Sequence, residues 1–129
     1  MLYDKRWDEA PAEIKQDEWR NVLLKAADLV EKGWIIGSYQ SGDNYCAVGA
    51  LAKAATGTAY GGWDTVGVGA YNLKIKDEQM AVAHDMLLKE INRWRIFNKY
   101  ASVPKWNDFK AKSGATVAAY MRKAATRAV

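Results

Sequence analysis

The chain has 129 residues, of which half are hydrophobic and 26% are charged, with a net charge of +4 and one cysteine. This length suffices for one domain with its own core, and the composition excludes a disordered or collagen-like chain. No apolar run reaches the ~18 residues that a membrane span needs, no export signal is visible, and a single cysteine cannot form an internal disulfide. We therefore expect a cytoplasmic protein, in a bacterium or an infected host cell, with no membrane partner.

The first strong pattern is an amphipathic helix from Gln16 to Lys32. Apolar residues recur there at helical spacing, charged residues fall between them, and Gly33 is expected to end the helix in the left-handed conformation. Because Pro11 lies a few residues upstream, residues 1–15 are expected to form an N-terminal arm or turn. Residues 16–129 are then expected to form a single helical domain.

A second helix is expected from Tyr45 to Ala55, after a short extended stretch at 34–39 and the turn residues that follow it. Asp43 or Asn44 would cap its start, and Gly57 would end it. The helix consists mainly of small residues, which allow neighbouring backbones to approach closely. We therefore expect it to lie in the middle of the fold.

Residues 57–76 combine five glycines with Tyr60, Trp63 and Tyr71, so they predict a long loop that contains a short hairpin. A third helix is expected over residues 77–98, with Trp94 on its buried stripe. After Pro104, Ser113 is expected to cap a final helix. The predicted fold is therefore mainly α, a compact four-helix single domain with a short extended or hairpin element and a glycine-aromatic loop.

Three short motifs resemble the pattern of a known family. They are Gly33-Trp34, the run Cys46-Ala47-Val48-Gly49-Ala50-Leu51, and Trp106-Asn107-Asp108. In this combination they resemble a family of small actinobacterial and phage proteins of unknown function, over residues 16–56 and 104–128. The resemblance implies that Trp34, Cys46, Gly49, Trp106, Asn107 and Asp108 are structural motif residues. It implies no activity.

Cys46 is the residue that most suggests chemistry. It is expected in the first turn of a helix, where the helix dipole favours a thiolate, and the order Cys46, His84, Asn107 is that of papain-like hydrolases. The alternative is that Cys46 packs among small residues and that His84 lies on an apolar helix stripe, which is the more common situation for both. No pair of residues has the spacing of a metal site, and we expect no metal and no cofactor.

The charge is distributed unevenly, because residues 89–129 contain ten Lys and Arg against only Glu90 and Asp108. Such a basic region attracts acidic partners or nucleic acid, although it also fits two solvated helix faces. Tyr60 and Trp63 lie in the glycine-rich loop without any periodicity, which makes them candidates for exposed contacts.

These observations favour a non-enzymatic binding protein that engages a host protein or a small ligand. The predicted contact residues are Tyr60, Trp63, Tyr71, Arg93 and Arg95. One alternative is a cysteine-dependent hydrolase that uses Cys46, His84 and Asn107. A further alternative is a nucleic-acid-binding protein that uses the basic residues 89–129.

Overall fold

The structure is a computed structural model that describes residues 6–65 and 73–129, with side chains from Glu18 onward. These residues form helices and two small antiparallel sheets. The helices are α1 (Arg6–Lys32), α2 (Ala47–Thr56), α3 (Glu78–Asn92), α4 (Val103–Phe109) and α5 (Gly114–Ala124). The strand pairs are β1 (Gln40–Ser41) with β2 (Asn44–Tyr45) and β3 (Trp63–Thr65) with β4 (Leu73–Ile75).

Helix α1 packs against α2, α3 and α5, while α4 packs against α2 and α3. The core between them is apolar, and its largest fully buried side chains include Leu23, Leu51, Leu87 and Trp106. Residues 47–52 of α2 are all buried, and their small side chains let α2 lie close to its neighbours. Within the described residues, no helix combines the length and the apolar character that crossing a bilayer requires.

The mainly helical class is confirmed, but the count of four helices is wrong because α4 makes five in the described ranges. Helix α4 contains the Trp106-Asn107-Asp108 motif, and Pro104 lies in its first turn, where a missing backbone N–H costs nothing. No helix was predicted at this motif, because Pro104 alone indicates only a break in helical structure.

Helix α1 begins at Arg6 and not at Gln16, so residues 6–15 continue the helix where an arm or turn was expected. The division of the chain into 1–15 and 16–129 stays a prediction. Gly33 does follow the last residue of α1, but its φ is not positive. A side chain is excluded at Gly33 for another reason, since a Cβ there would lie 2.3 Å from the Asn44 Oδ1 atom.

Two glycines that follow predicted elements adopt the left-handed backbone conformation that a turn or a helix end requires. Gly42 adopts a positive φ between β1 and β2, and Gly57 ends α2 in the left-handed conformation as predicted. The predicted hairpin within 57–76 is present as β3 and β4. Residues 66–72, with Tyr71 among them, lie outside the described residues.

Helix α3 ends at Asn92, six residues before the predicted end, and this changes the position of Trp94. The Asn92 side chain donates to the Tyr100 carbonyl and accepts from the Tyr100 amide, both at 2.8 Å. These two bonds turn the chain back on itself. The expectation that Trp94 is buried is therefore wrong, because its side chain is 88% exposed.

Candidate functional site

The side chain of Asn107 lies at the point where the three sequence motifs meet. It is completely buried, and its Oδ1 atom accepts hydrogen bonds from Trp34 Nε1 at 2.8 Å and from the Ala47 amide at 3.0 Å. Its Nδ2 atom donates to the Ile35 carbonyl at 3.2 Å and to Asp108 Oδ1 at 3.1 Å. Every hydrogen-bonding direction of this amide is thus used, which is the pattern of a buried structural side chain.

The backbone amides at the start of α2 find their hydrogen-bond acceptors inside the protein. The first amides of a helix have no partner within the helix, and here the Ala47 amide donates to Asn107 while the Gly49 amide donates to Cys46 Sγ at 3.4 Å. The N-cap is therefore Cys46, and the expected caps Asp43 and Asn44 are wrong. The Asn107 amide and the Cys46 thiol, which could otherwise take part in a reaction, thus accept hydrogen bonds from the first turn of α2.

Gly49 is required by the close approach of another segment. A Cβ atom at this position would lie 2.0 Å from the Tyr39 carbonyl oxygen, and that carbonyl also accepts the Cys46 amide at 3.3 Å. Any side chain at Gly49 would therefore displace the segment that leads into β1. We call Trp34, Cys46, Gly49, Asn107 and Asp108 the motif junction.

Asp108 extends the motif junction toward the surface. Its Oδ1 atom accepts the Gly37 amide at 3.2 Å in addition to the bond from Asn107. The neighbouring Trp106 ring is 1% exposed and packs on Tyr120 with ring centroids 5.0 Å apart. Together these contacts fasten α4 to the segment after α1 and to α5.

Cys46 lies in surroundings that suppress its reactivity. Burial raises the pKa of the Cys46 thiol to about 11, and the hydrogen bonds from nearby backbone amides only partly oppose this effect. Since the thiolate is the nucleophile, a thiol with such a pKa is almost entirely protonated at neutral pH. The side chain behaves as a small buried apolar group that also caps α2.

His84 does not pair with Cys46. It lies on the buried face of α3, with Nδ1 3.4 Å from Asp85 Oδ1 and with a buried Nε2 atom that has no hydrogen-bond partner. Burial lowers the pKa of His84, although Asp85 opposes the shift, so the ring is neutral at pH 7. No hydrogen bond joins Cys46, His84 and Asn107 in the described part of the chain.

The aromatic side chains of residues 57–63 already make contacts within the protein. Trp63 is half-buried, its ring centroid lies 4.4 Å from that of Tyr39, and its Nε1 donates to the Ala59 carbonyl at 2.9 Å. Tyr60 meets the same Tyr39 ring edge-on at 6.4 Å and remains 58% exposed. Of the predicted contact residues here, Tyr60 is therefore the more accessible one.

The segment between α3 and α4 is the most exposed apolar feature of the described residues. We call residues 93–99 the 93–99 loop, and Trp94, Ile96 and Phe97 its tip. These three side chains are 88%, 83% and 81% exposed. The base of the loop is fixed by the two Asn92–Tyr100 hydrogen bonds and by the Arg95 guanidinium, which lies 4.8 Å from the Tyr100 ring centroid.

A groove of about 490 Å³ runs beside the base of this loop. Its lining residues come from α3 and from both ends of the loop, and they are Asp85, Leu88, Lys89, Asn92, Arg93 and Lys99. A smaller cavity of about 290 Å³ shares Lys99 and adds Lys105. The base of the loop is therefore bordered by grooves in which cations outnumber the single carboxylate of Asp85.

The cations of these grooves differ in how far they are neutralised. Arg93 lies 3.3 Å from Glu90, whose carboxylate also binds Arg127 at 2.9 Å. Within the described residues, Lys89, Lys99 and Lys105 form no ion pair. Three lysines beside the loop are thus available to an anionic partner.

The predicted contact residues include Arg93 and Arg95 but not Trp94, Ile96 and Phe97. The helical period of α3, continued across the loop, predicts that Trp94 lies in the core. A signal was present in the run Arg93-Trp94-Arg95-Ile96-Phe97, where large apolar and basic residues alternate. That alternation does not fit a helix with one apolar face.

Comparison with known proteins identifies a family but assigns no activity. A family of unknown function, DUF6197, matches the chain over residues 15–127. No curated protein matches the chain, and no solved structure matches it. The expected actinobacterial or phage origin stays a prediction. Among the described residues, no group of three or more His, Cys, Asp and Glu side chains is arranged to hold a metal ion.

Replacing Asn107 with Leu is expected to destabilise the fold by roughly 3 kcal/mol, since Trp34 Nε1 and the Ala47 amide would lose their acceptor inside the protein. Urea unfolding followed by circular dichroism measures this change. The matched control is Asn21→Leu on the exposed face of α1, with an expected change within about 0.5 kcal/mol. Equal midpoints for the two variants would show that Asn107 is not a structural residue.

Cys46 is expected to resist alkylation in the folded protein at neutral pH, because it is 3% exposed and burial raises its pKa to about 11. Iodoacetamide labelling read by mass spectrometry should give modification only after denaturation. The control carries Cys46→Ala with Ser41→Cys, which places the cysteine on an exposed strand residue. Native Cys46 labelling as fast as this control would restore the hydrolase hypothesis.

Proposed function

We propose that this chain, which belongs to the DUF6197 family of unknown function, is a non-enzymatic binding protein whose contact surface is the 93–99 loop with the grooves beside it. The observation that carries the proposal is the exposure of Trp94, Ile96 and Phe97, each above 80% on a short loop with a fixed base. Of the predicted contact residues, Arg93 and Arg95 belong to this surface, and the loop tip takes the place of Tyr60, Trp63 and Tyr71.

Exposed tip residues of this size support a binding role on energetic grounds. Single exposed apolar side chains are ordinary, but three in a run of four residues form a patch that favours association. Aromatic residues and arginine are also the types that contribute most to binding energy at interfaces. A contact made here would bury large apolar groups that the fold itself does not use.

The fixed base of the loop supports the same role. Association costs less when the contacting segment is already ordered, because fewer backbone states are lost on binding. The two hydrogen bonds between the Asn92 side chain and the Tyr100 backbone close the loop at its base, and the Arg95 guanidinium lies over the Tyr100 ring. The tip is therefore presented in a defined position.

The cysteine-dependent hydrolase has less support. Its nucleophile would be a buried thiol with a raised pKa, and its base would be a His84 ring without a bond to that thiol. Asn107 already uses all its hydrogen-bonding directions in the motif junction. We therefore propose that these three residues serve the fold.

A nucleic-acid-binding protein is the second candidate, and a specific observation favours it. Trp94 and Phe97 are exposed on a loop whose base borders the groove lined by Lys89, Arg93 and Lys99, and aromatic rings combined with cations can bind unpaired bases. Binding of this kind weakens steeply with added salt because phosphate contacts release counterions. Contact with single-stranded nucleic acid would use the same loop.

In-cell photocrosslinking tests the proposed contact surface. The photoreactive residue p-benzoylphenylalanine is placed at Phe97, on the loop tip, or at Lys25, on the exposed face of α1, in the source organism. We expect discrete adducts from position 97 that disappear when Trp94→Asp and Ile96→Asp are added. Position 25 should give only diffuse background.

The chemical nature of the adduct identifies the partner class, since protein, lipid and nucleic-acid adducts differ in their sensitivity to protease, lipase and nuclease. The same diffuse labelling from positions 97 and 25 would show that the 93–99 loop is not the contact surface.

A further inference from the structure

We infer that the partner of the 93–99 loop is the surface of a bilayer rich in anionic phospholipid. The tip residues would enter the boundary between headgroups and acyl chains, and the lysines beside the loop would face the headgroups. This inference rests on the proposed contact surface and specifies its occupant.

The order of residue types along the loop matches the layers of a membrane interface. Trp94, Ile96 and Phe97 form the tip, and the side chains at the two ends of the loop are Arg93 and Lys99. Aromatic residues favour the headgroup level, and basic residues favour an anionic surface. An apolar tip with cations at the ends of the same loop satisfies both preferences in one contact.

The surroundings of the tip fit a bilayer better than a protein partner. In a protein interface the main anchors are usually encircled by further contact residues that exclude water. Here the neighbours of the tip along the chain are Arg93, Arg95, Asn98 and Lys99, which are polar or charged. A fluid lipid surface can take up such an isolated tip without a matching pocket.

Charge near the loop points in the same direction. Lys89, Lys99 and Lys105 form no ion pair within the described residues, and the carboxylate of Glu90 is held by Arg93 and Arg127. Asp85 is the acidic side chain that lines the groove, and it lies beside the neutral ring of His84. The cations therefore exceed the acids on the face that would meet the headgroups.

This inference revises the expectation of no membrane partner. That expectation rested on the lack of an apolar run of spanning length, which the described helices agree with. Peripheral binding has a different requirement, namely a small apolar element together with basic residues at the surface. The 93–99 loop supplies both.

Vesicle flotation with the purified full chain tests the inference. Vesicles of equal phosphatidylcholine and phosphatidylglycerol are compared with vesicles of phosphatidylcholine alone, at low and high salt. We expect binding to the anionic vesicles, at least tenfold stronger than to the neutral ones and strongly reduced by salt. Trp94→Ser with Phe97→Ser should weaken that binding at least tenfold without changing the melting temperature.

The matched controls separate the loop from general surface properties. Phe109→Ser removes another exposed aromatic side chain, and Lys25→Ala removes a lysine from α1. Both should bind as the unmodified chain does. Lys89→Ala and Lys99→Ala should each weaken binding about fivefold, as expected for one basic residue near an anionic surface.

Equal binding to anionic and neutral vesicles would overturn the inference. Unchanged binding by the variant with Trp94→Ser and Phe97→Ser would also overturn it. Retention of a single-stranded oligonucleotide with no vesicle binding would overturn it in favour of nucleic acid. A protein adduct from position 97 with no vesicle binding would also overturn it, and would leave the proposed contact surface intact.

Discussion

The fold depends on one buried oxygen atom, the Oδ1 of Asn107. It accepts both the indole N–H of Trp34 and the backbone amide of Ala47, so it joins α4 to the segment after α1 and to the first residue of α2. Without it, the buried Ala47 amide and the half-buried Trp34 indole N–H would lose their acceptor, which is costly in a medium of low polarity. Because the bonds connect residues 60 and 73 positions apart, they fix how three segments pack.

The buried polar and thiol side chains and the exposed apolar side chains lie in two separate parts of the described structure. The cysteine, the buried asparagine and the small residues of α2 hold the interior together, and their chemistry is suppressed by burial. The most exposed apolar side chains of the described residues include three on the 93–99 loop, where the chain leaves α3 and is turned back by Asn92.

Local features of this structure were predictable and long-range ones were not. Ser113 as a helix cap and Gly57 as a helix terminator follow from short-range chemistry that is complete within a few residues. The partners of Asn107 lie far away in sequence, so its role could not be derived from its neighbours. The early end of α3 has the same origin, since Asn92 binds Tyr100 eight residues further along the chain, and helical periodicity does not reveal such a contact. Helical periodicity continued past that point and gave the wrong environment for Trp94.

Hydrogen exchange of the Ala47 amide is the most direct test that the motif junction is structural. This amide is buried and donates to the Asn107 side chain, so it should exchange only when the whole domain unfolds. Its protection should then equal the free energy of unfolding from urea titration, while amides of the 93–99 loop exchange rapidly. A protection several kcal/mol below the global value would contradict this role. The junction would then open by itself, as a mobile functional site does.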